Sequence, residues 1–435
     1  MTAISVGIDF GTSNSAAALP GLDGGPARVL PIDALAPDPR LLRSVLFFPE
    51  HFEKGHEVLV GEGAIAAYLS EFEGRFLQSI KTFLPSPAFT ATEIRGRAWK
   101  LEQLIAVLLR RMREVIEREA GGPLAQVVFG RPAVFSPDPE RDQLAQDRLA
   151  EAARLAGYPA PVFVIEPIAA ALRYEESLER DEVVLVGDFG AGTSDFTLMH
   201  LGPSRRGALD RRGDVVASSG VYVGGDRFDA AIVEHRLLKL FGAGSTYSTL
   251  LKRVELPTWM TRKLLAWNEL SLLRERSNLE FLRTAVKTSD KKAELQNLVT
   301  LAEENLGFHL YRAVEAAKRT LSEEESATVS FHEAYIEIDA KLTRSEFEKW
   351  TRPLRAELDL AVDRCLAKAG GLAPDAVFLT GGTSKIPSVR HLFAERFGEE
   401  RLREGDAFTS VAAGLGRAAG VVAAGGAGMG RGAVG

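Results

Sequence analysis

Apolar residues recur along the chain in two alternating forms, short strand-length runs and longer runs at helical spacing. Ala3–Ile8 reads as a strand and gives way to Asp9-Phe10-Gly11-Thr12-Ser13-Asn14-Ser15, a small and polar turn, before apolar residues resume at Ala16–Leu19. Between Lys100 and Glu119, Leu101, Leu104, Ile105, Leu108, Leu109, Met112 and Ile116 keep the spacing of one helix face. Ala125–Phe129 then predicts a strand, Pro139–Ala156 a helix ending at Gly157, Val162–Ile165 a strand and Ala169–Tyr174 a helix. At Val183–Val186 the opening pattern returns: a strand, then Gly187-Asp188-Phe189-Gly190-Ala191-Gly192-Thr193-Ser194-Asp195, then apolar Phe196–Met199. Apolar strand, Asp-Phe-Gly, small residues and hydroxyls occur twice, which suggests two similarly built lobes.

Further along, Gly224-Gly225-Asp226 precedes the helical run Phe228–Leu240, and a charged helical region extends from 262 to 322. A strand pair, Thr328–Phe331 and Ala334–Ile338, leads to a predicted helix at 345–369. That helix sets Phe347, Trp350, Leu354, Leu358, Ala361 and Cys365 on one stripe, which makes Cys365 a core residue rather than a nucleophile. The strand Ala376–Leu379 runs into Thr380-Gly381-Gly382-Thr383, and the Gly/Ala-rich end of the chain, 421–435, reads as a flexible tail. Alternating strands and helices make the fold class α/β, with mixed sheets flanked by helices.

Composition acts mainly by exclusion. The 435 residues are 46% hydrophobic and 26% charged, enough apolar surface for a folded core. With 53 basic and 59 acidic side chains the net charge is −6, so there is no broad basic field for nucleic acid and no such partner is expected. No run approaches the roughly 18 apolar residues of a membrane span, and the N-terminus lacks a basic leader; no membrane partner and a cytoplasmic setting are expected. The single cysteine excludes a disulfide framework and a thiolate zinc site.

The chain has no Gly-x-x-x-x-Gly-Lys-Ser/Thr loop, no His-Glu-x-x-His and no Gly-x-Ser-x-Gly elbow. What remains are the two acidic glycine-hydroxyl turns. Glycines let backbone amides approach a phosphate, successive amides form an anion-binding nest, and Thr12, Ser13 and Thr193 add hydroxyl donors. An acid before each nest would repel phosphate unless a divalent cation lies between them. Asp9 and Asp188 therefore point to Mg²⁺, held through water because Mg²⁺ dehydrates reluctantly.

These residues carry a resemblance. Ile8 through Ser15 resembles the first phosphate loop of the actin, sugar-kinase and heat-shock ATPase superfamily, with Gly11, Thr12, Ser13 and Asn14 facing the nucleotide; Asp188 through Asp195, with Gly190 and Gly192, resembles the second. Val377 through Pro387, with Gly381, Gly382 and Lys385, resembles the adenosine motif. Ser79-Ile80-Lys81, Ile165-Glu166-Pro167, Val223-Gly224-Gly225-Asp226-Arg227-Phe228-Asp229 and Glu315 through Ser322 are similar to the seventy-kilodalton heat-shock (DnaK-type) branch and occur in its order. The resemblance implies a two-lobed actin-like (ribonuclease H-like) ATPase fold that binds ATP or ADP with Mg²⁺. Lys81 would position the attacking water near the γ-phosphate, Glu166 would hold a metal-bound water, and Asp195 with Thr193 would orient water at the second loop. Glu315, Lys318 and Ser322, on one helix face with Gly224 and Gly225 upstream, would grip adenine and ribose.

Two departures stand out. Ala191 replaces the middle glycine of the second loop, and Phe408 through Gly414 replaces a more acidic helix entry. The expected layout is lobe I at 1–182, lobe II at 183–420 with a helical subdomain at about 226–306, and the tail. On this reading the chain looks like the shortened, YegD-type members, without a β-rich peptide-binding domain. It would be a slow ATPase and nucleotide-dependent switch, read by a protein partner or co-chaperone. The charged helices at 262–306, with Trp259 and Trp267 among Arg, Lys and Glu, are a candidate partner surface. A small-molecule kinase on the same fold, with Asp195 or Glu166 as base, and an actin- or MreB-like filament protein are the alternatives.

Overall fold

A computed structural model of the chain describes residues 4–21, 25–52, 57–71, 74–206, 211–249, 251–265, 270, 273–405 and 409–426. Packing divides it into two compact units. Unit one holds the residues up to Tyr222, Leu360–Ser384 and those from Phe393 onward; unit two holds Val223–Asp359 and Lys385–Leu392. This partition differs from the lobes expected at 1–182 and 183–420.

Unit one contains two sheets built to one plan. In the first, Ile4–Phe10 pairs antiparallel with Asn14–Leu19 across a short turn and parallel with Leu124–Arg131 on its other side, and Val162–Ile165 extends the parallel edge. In the second, Glu182–Phe189 pairs antiparallel with Ser194–Leu201 and parallel with Ala376–Thr380, with Val215–Val221 and Leu402–Glu404 at the edges. The duplicated sequence pattern is thus a duplicated hairpin with a parallel third strand. Asp9, Phe10, Asp188 and Phe189, expected in the turns, belong to the strands; the turns begin at Gly11 and Gly190.

The helices Leu101–Ala120 and Pro139–Leu155 cover one face of the first sheet with Leu104, Ile105, Leu108, Leu149 and Ala152 against Val6, Ile8 and Phe129. Asp138 caps the second helix by accepting from the Glu140 amide, with Pro139 in the first turn where its missing N–H costs nothing. A second core joins the helices Glu166–Glu176 and Ser410–Gly426 to both sheets through Val128, Val184, Val186, Phe378 and Leu415. The close approach of those helices depends on Gly414: a Cβ there would stand 1.7 Å from the Ala169 carbonyl oxygen.

Two expectations shift in unit one, and one holds. The helix predicted over Ala169–Tyr174 begins at Glu166, because Pro167 is tolerated in a first turn. The segment expected as a tail from 421 is helical as far as Gly426, in keeping with its alanines; 427–435 lie outside the described residues, as does Phe408. Cys365 is fully buried, as its stripe predicts, with its thiol against the carbonyls of Phe196 and Ala217.

Unit two is mainly helical. The run from Gly225 is an α-helix to Ile232 that continues as a π turn, Val233–Leu237, and a 3-10 turn, Leu238–Phe241. Helices Arg276–Thr288, Lys292–Glu303 and Gly307–Glu323 follow a small hairpin, Thr246–Ser248 with Arg253–Glu255. Trp259 is 45% exposed; Trp267 lies outside the described residues. The predicted strand pair is a longer hairpin, Ser326–Glu333 with Ile336–Thr343, alternating buried and exposed positions. Ala334, expected at the start of the second strand, forms the two-residue turn with Tyr335; both have positive φ, which gives the twist a tight hairpin needs.

The single helix predicted over 345–369 is two, Arg344–Trp350 and Arg352–Lys368, separated at Thr351. Pro353 is the cause: it lacks the amide for an intrahelical bond, and its ring clashes with the carbonyl one turn back. Thr343 and Glu346 form a reciprocal capping box at the start of the first.

Candidate functional site: two acidic hairpin turns around one lysine

Each of the two duplicated hairpins presents an aspartate one residue before the end of its first strand. Asp9 sits opposite Ala16, whereas Asp188 sits opposite Asp195, so the second hairpin sets two carboxylates directly across the strands. Gly220 on the next strand makes room for this: a Cβ there would stand 2.7 Å from Asp195 Oδ1.

The first turn is closed tightly on itself, with the Gly11 α-carbon so near Asn14 that a Cβ would lie 2.1 Å from its carbonyl oxygen. Ser44 braces it from outside. Its hydroxyl donates to the Gly11 carbonyl at 2.8 Å and contacts the Ser15 hydroxyl at 2.9 Å, while its amide donates to the Ser13 carbonyl at 2.9 Å. Arg43 donates to Asn14 Oδ1 at 3.4 Å. Sequence reasoning missed Ser44, since nothing in its local pattern marks it. In the second turn the Gly190 amide donates to the Thr193 carbonyl at 2.9 Å, and the Thr193 side chain hydrogen-bonds Asp195. Nothing stands within 4 Å of where a Gly192 Cβ would be.

Lys81 reaches this group from a 3-10 turn, Ile80–Phe83, anchored by buried Ile80. Ser79 precedes it in the left-handed region at φ 52°, a conformation that costs a serine about 1–2 kcal/mol. Such strain is held where the surrounding structure needs the geometry. The Lys81 ammonium donates to Glu166 Oε1 at 2.8 Å; the two side chains are 10% and 14% exposed. Glu166 is the first residue of its helix, a position that favours a carboxylate.

One cation therefore faces four carboxylates. Burial, then the negative charge of Glu166, lifts Asp9 to about 7 against the pull of Lys81. Asp195 rises to about 7, again by burial and then Glu166, while Lys81 and the Thr193 hydroxyl draw it down. Burial pushes Asp188 well above the carboxylate range, helped by Glu166, Asp195 and Asp9. Burial works against the charge on Lys81, but Glu166, Asp9 and Asp188 outweigh it and raise its pKa. One lysine does not offset four packed carboxylates, so the aspartates hold protons up to neutral pH or beyond, and a divalent cation beside them would favour their charged forms.

Beside the second turn, Thr380 pairs in register with Asp188, and Gly381 follows at φ 90°. A Cβ on Gly381 would sit 2.1 Å from the Phe189 carbonyl oxygen, so only glycine permits this approach. The Ser384 hydroxyl closes the Gly381 turn at 2.7 Å. Gly382 opens the following 3-10 turn, which ends at Lys385.

The remaining candidates lie in unit two. Gly224 and Gly225 open the helix that carries Asp226 and Asp229. The Lys318 ammonium bridges to Asp229 Oδ2 at 2.8 Å and to the Gly225 carbonyl at 3.3 Å, while the Ser322 hydroxyl donates back to the Lys318 carbonyl at 3.4 Å. Burial, then Asp229, raises Asp226 to about 7, with Lys318 opposing and Glu315 adding. The structure thus ties Glu315, Lys318 and Asp229 into one charged cluster that helix spacing alone did not reveal.

The family model described as Hsp70 protein matches residues 86–254 and 279–427. Proteins named "Chaperone protein DnaK" from two strains of Thermus thermophilus are each 28% identical to the chain over 437 aligned positions, covering 96% of this chain and 61% of the relative. The chain thus spans about three fifths of the length of these curated relatives. Repeated hairpin plan, glycine turns and family match agree: the chain belongs to the Hsp70 family, whose ATPase domain has the two-lobed actin-like fold.

Proposed function

We propose that this chain binds ATP with Mg²⁺, hydrolyses it slowly and serves as a nucleotide-dependent conformational switch within chaperone function. The observation that carries the reading is the convergence of Asp9, Asp188, Asp195 and Glu166 on Lys81, between two glycine turns of matching design. Members of the Hsp70 family are ATPases, and the relatives' printed name is that of a chaperone.

The residues fit Mg²⁺. Asp9 and Asp188 offer hard carboxylate oxygens, and among the described residues no three acidic, His or Cys groups stand close enough to enclose an ion. Water would complete the coordination, the arrangement Mg²⁺ prefers. When bound, the cation supplies charge neutralisation between phosphate and carboxylates. The backbone amides around Gly11 and Gly190 bind phosphate oxygens, Thr12 and Ser13 donate hydroxyls to them, and the Thr193 hydroxyl holds Asp195 in place. Asp195, near neutrality, accepts a proton from the attacking water, while Lys81 orients that water under the hold of Glu166. No covalent intermediate is needed; positioning and electrostatics account for the rate. We assign Glu315, Lys318 and Ser322, with Gly224, Gly225, Gly381, Gly382 and Lys385, to the adenosine end. A protein partner or co-chaperone would read the nucleotide state, in a cytoplasmic setting.

ATP turnover by the purified chain, with and without sugars and small acids as acceptors, tests the reading. Mg-dependent release of phosphate below about one turnover per second supports it. Rapid phosphate transfer to an acceptor replaces it with a kinase.

A further inference from the structure

We propose that a groove in unit one, apart from the acidic turns, docks an acidic peptide segment of a partner protein through apolar side chains. The groove has a volume of about 1130 Å³, and all its lining residues lie between Ile32 and Leu155. Ile32, Leu42, Val60, Ile94, Trp99 and Val107 give it an apolar lining. Leu35, 69% exposed, and Phe52, 47% exposed, also line it. Small-molecule sites occupy about 300–1,000 Å³ and enclose their ligand. This one is larger and open to solvent, a shape that suits a length of chain.

Arg95, Arg97, Arg110 and Arg111 line the groove together with Asp33, Glu57 and Glu114. Asp33 accepts from the amides of Leu35 at 3.1 Å and Glu62 at 2.8 Å, and Glu114 pairs with Arg111 at 3.7 Å. Arg110 donates to the Leu155 carbonyl, Arg95 to the carbonyls of Pro49 and Glu57, and Arg97 lies over the Trp99 ring at 4.5 Å. None of these three guanidiniums has a carboxylate partner among the described residues. The lining thus combines apolar side chains with an excess of one positive charge, in a chain whose net charge is −6. A partner that presents carboxylates on either side of apolar side chains complements both features.

One wall is held in place before any partner arrives. Arg95 and Gly96 make a two-residue turn between Ile94 and Arg97, with φ of 51° and 69°. Left-handed backbone is costly for arginine. Its side chain secures the turn through carbonyl bonds at 3.1 and 2.8 Å, with the guanidinium 4.1 Å from the centre of the Phe52 ring. A wall fixed in this way spares a ligand part of the ordering cost of binding.

The test is fluorescence anisotropy of labelled peptides of about ten residues, alternating Glu with Leu or Lys with Leu, titrated with the full chain at about 0.1 M salt. Saturable binding is expected for the Glu-Leu peptide and much weaker binding for the Lys-Leu peptide. Arg97→Glu combined with Arg110→Glu should weaken it by about tenfold or more while the melting temperature holds within a few degrees. Hydrogen exchange should show protection by the Glu-Leu peptide over 94–111. Equal binding of both peptides, indifference to the double charge reversal, or protection elsewhere would each overturn the proposal. So would saturable binding of dodecanoate with none of the Glu-Leu peptide, which would make the groove a small-anion site. None of these readouts depends on ATP.

Discussion

Lys81 and Glu166, 85 residues apart in the chain, meet at 2.8 Å in a nearly solvent-free pair. Their contact links a strained 3-10 turn to the first residue of a helix and places one positive charge among the aspartates of both hairpins. The sequence marked both residues by resemblance, but not as partners.

Lys81→Ala is expected to lower ATP turnover by about a hundredfold or more while nucleotide affinity changes by less than about tenfold. A charge that acts on the transferring phosphoryl group contributes most in the transition state. The same change leaves Glu166 buried without its cation, a loss of about 3 kcal/mol or more. Lys81→Ala with Glu166→Gln should recover part of the melting temperature but none of the turnover. Thermal unfolding and single-turnover kinetics on the three proteins check this; loss of binding with normal turnover of bound ATP would show that Lys81 has another role.

Gly381→Ala should destabilise unit one by about 2 kcal/mol or more, because the new methyl meets the Phe189 carbonyl oxygen at 2.1 Å and the backbone sits at φ 90°. Denaturant unfolding measures it. Gly192→Ala, in open space, is the control and should leave stability nearly unchanged.

Asp226 gives a pH signature. Its folded pKa, about 7, lies above the ordinary 3.8, so the folded state holds the proton more tightly than the unfolded one. The resulting stability is present in full below about pH 4 and is lost as pH rises through 7. Asp229, raised to about 6 by burial against the pull of Lys318, acts in the same direction. Asp226→Asn should therefore flatten the fall in stability between pH 4 and 7. It should stabilise the chain at pH 8 by about 1–2 kcal/mol, less than the full shift implies because the residue is part-exposed. Chemical denaturation at a series of pH values decides.

Cys365 should be silent to thiol reagents in the folded protein. It is fully buried, and burial raises its thiol pKa, so the reactive thiolate is scarce as well as shielded. Labelling should track global unfolding; rapid labelling under native conditions would contradict the packing.

The sequence by itself determined whatever depends on short-range pattern. Helical spacing found Leu101–Ala120 to within a residue at each end, and Val162–Ile165 was read with its observed limits, because burial on one face imposes a period that survives in one dimension. The repeated Asp-Phe-Gly-hydroxyl run disclosed two equivalent hairpins, since a tight turn needs small residues at fixed offsets. Tertiary structure alone decided which distant residues face one another. Ser44 braces the first turn from 33 residues away, Gly220 makes room for Asp195, and Arg95 locks the groove wall against Phe52. It also set the charge state of the aspartates, because desolvation and like-charge repulsion exist only once the carboxylates are packed together. Residue type fixes what a side chain can do; its neighbours, supplied by packing across the chain, fix what it does.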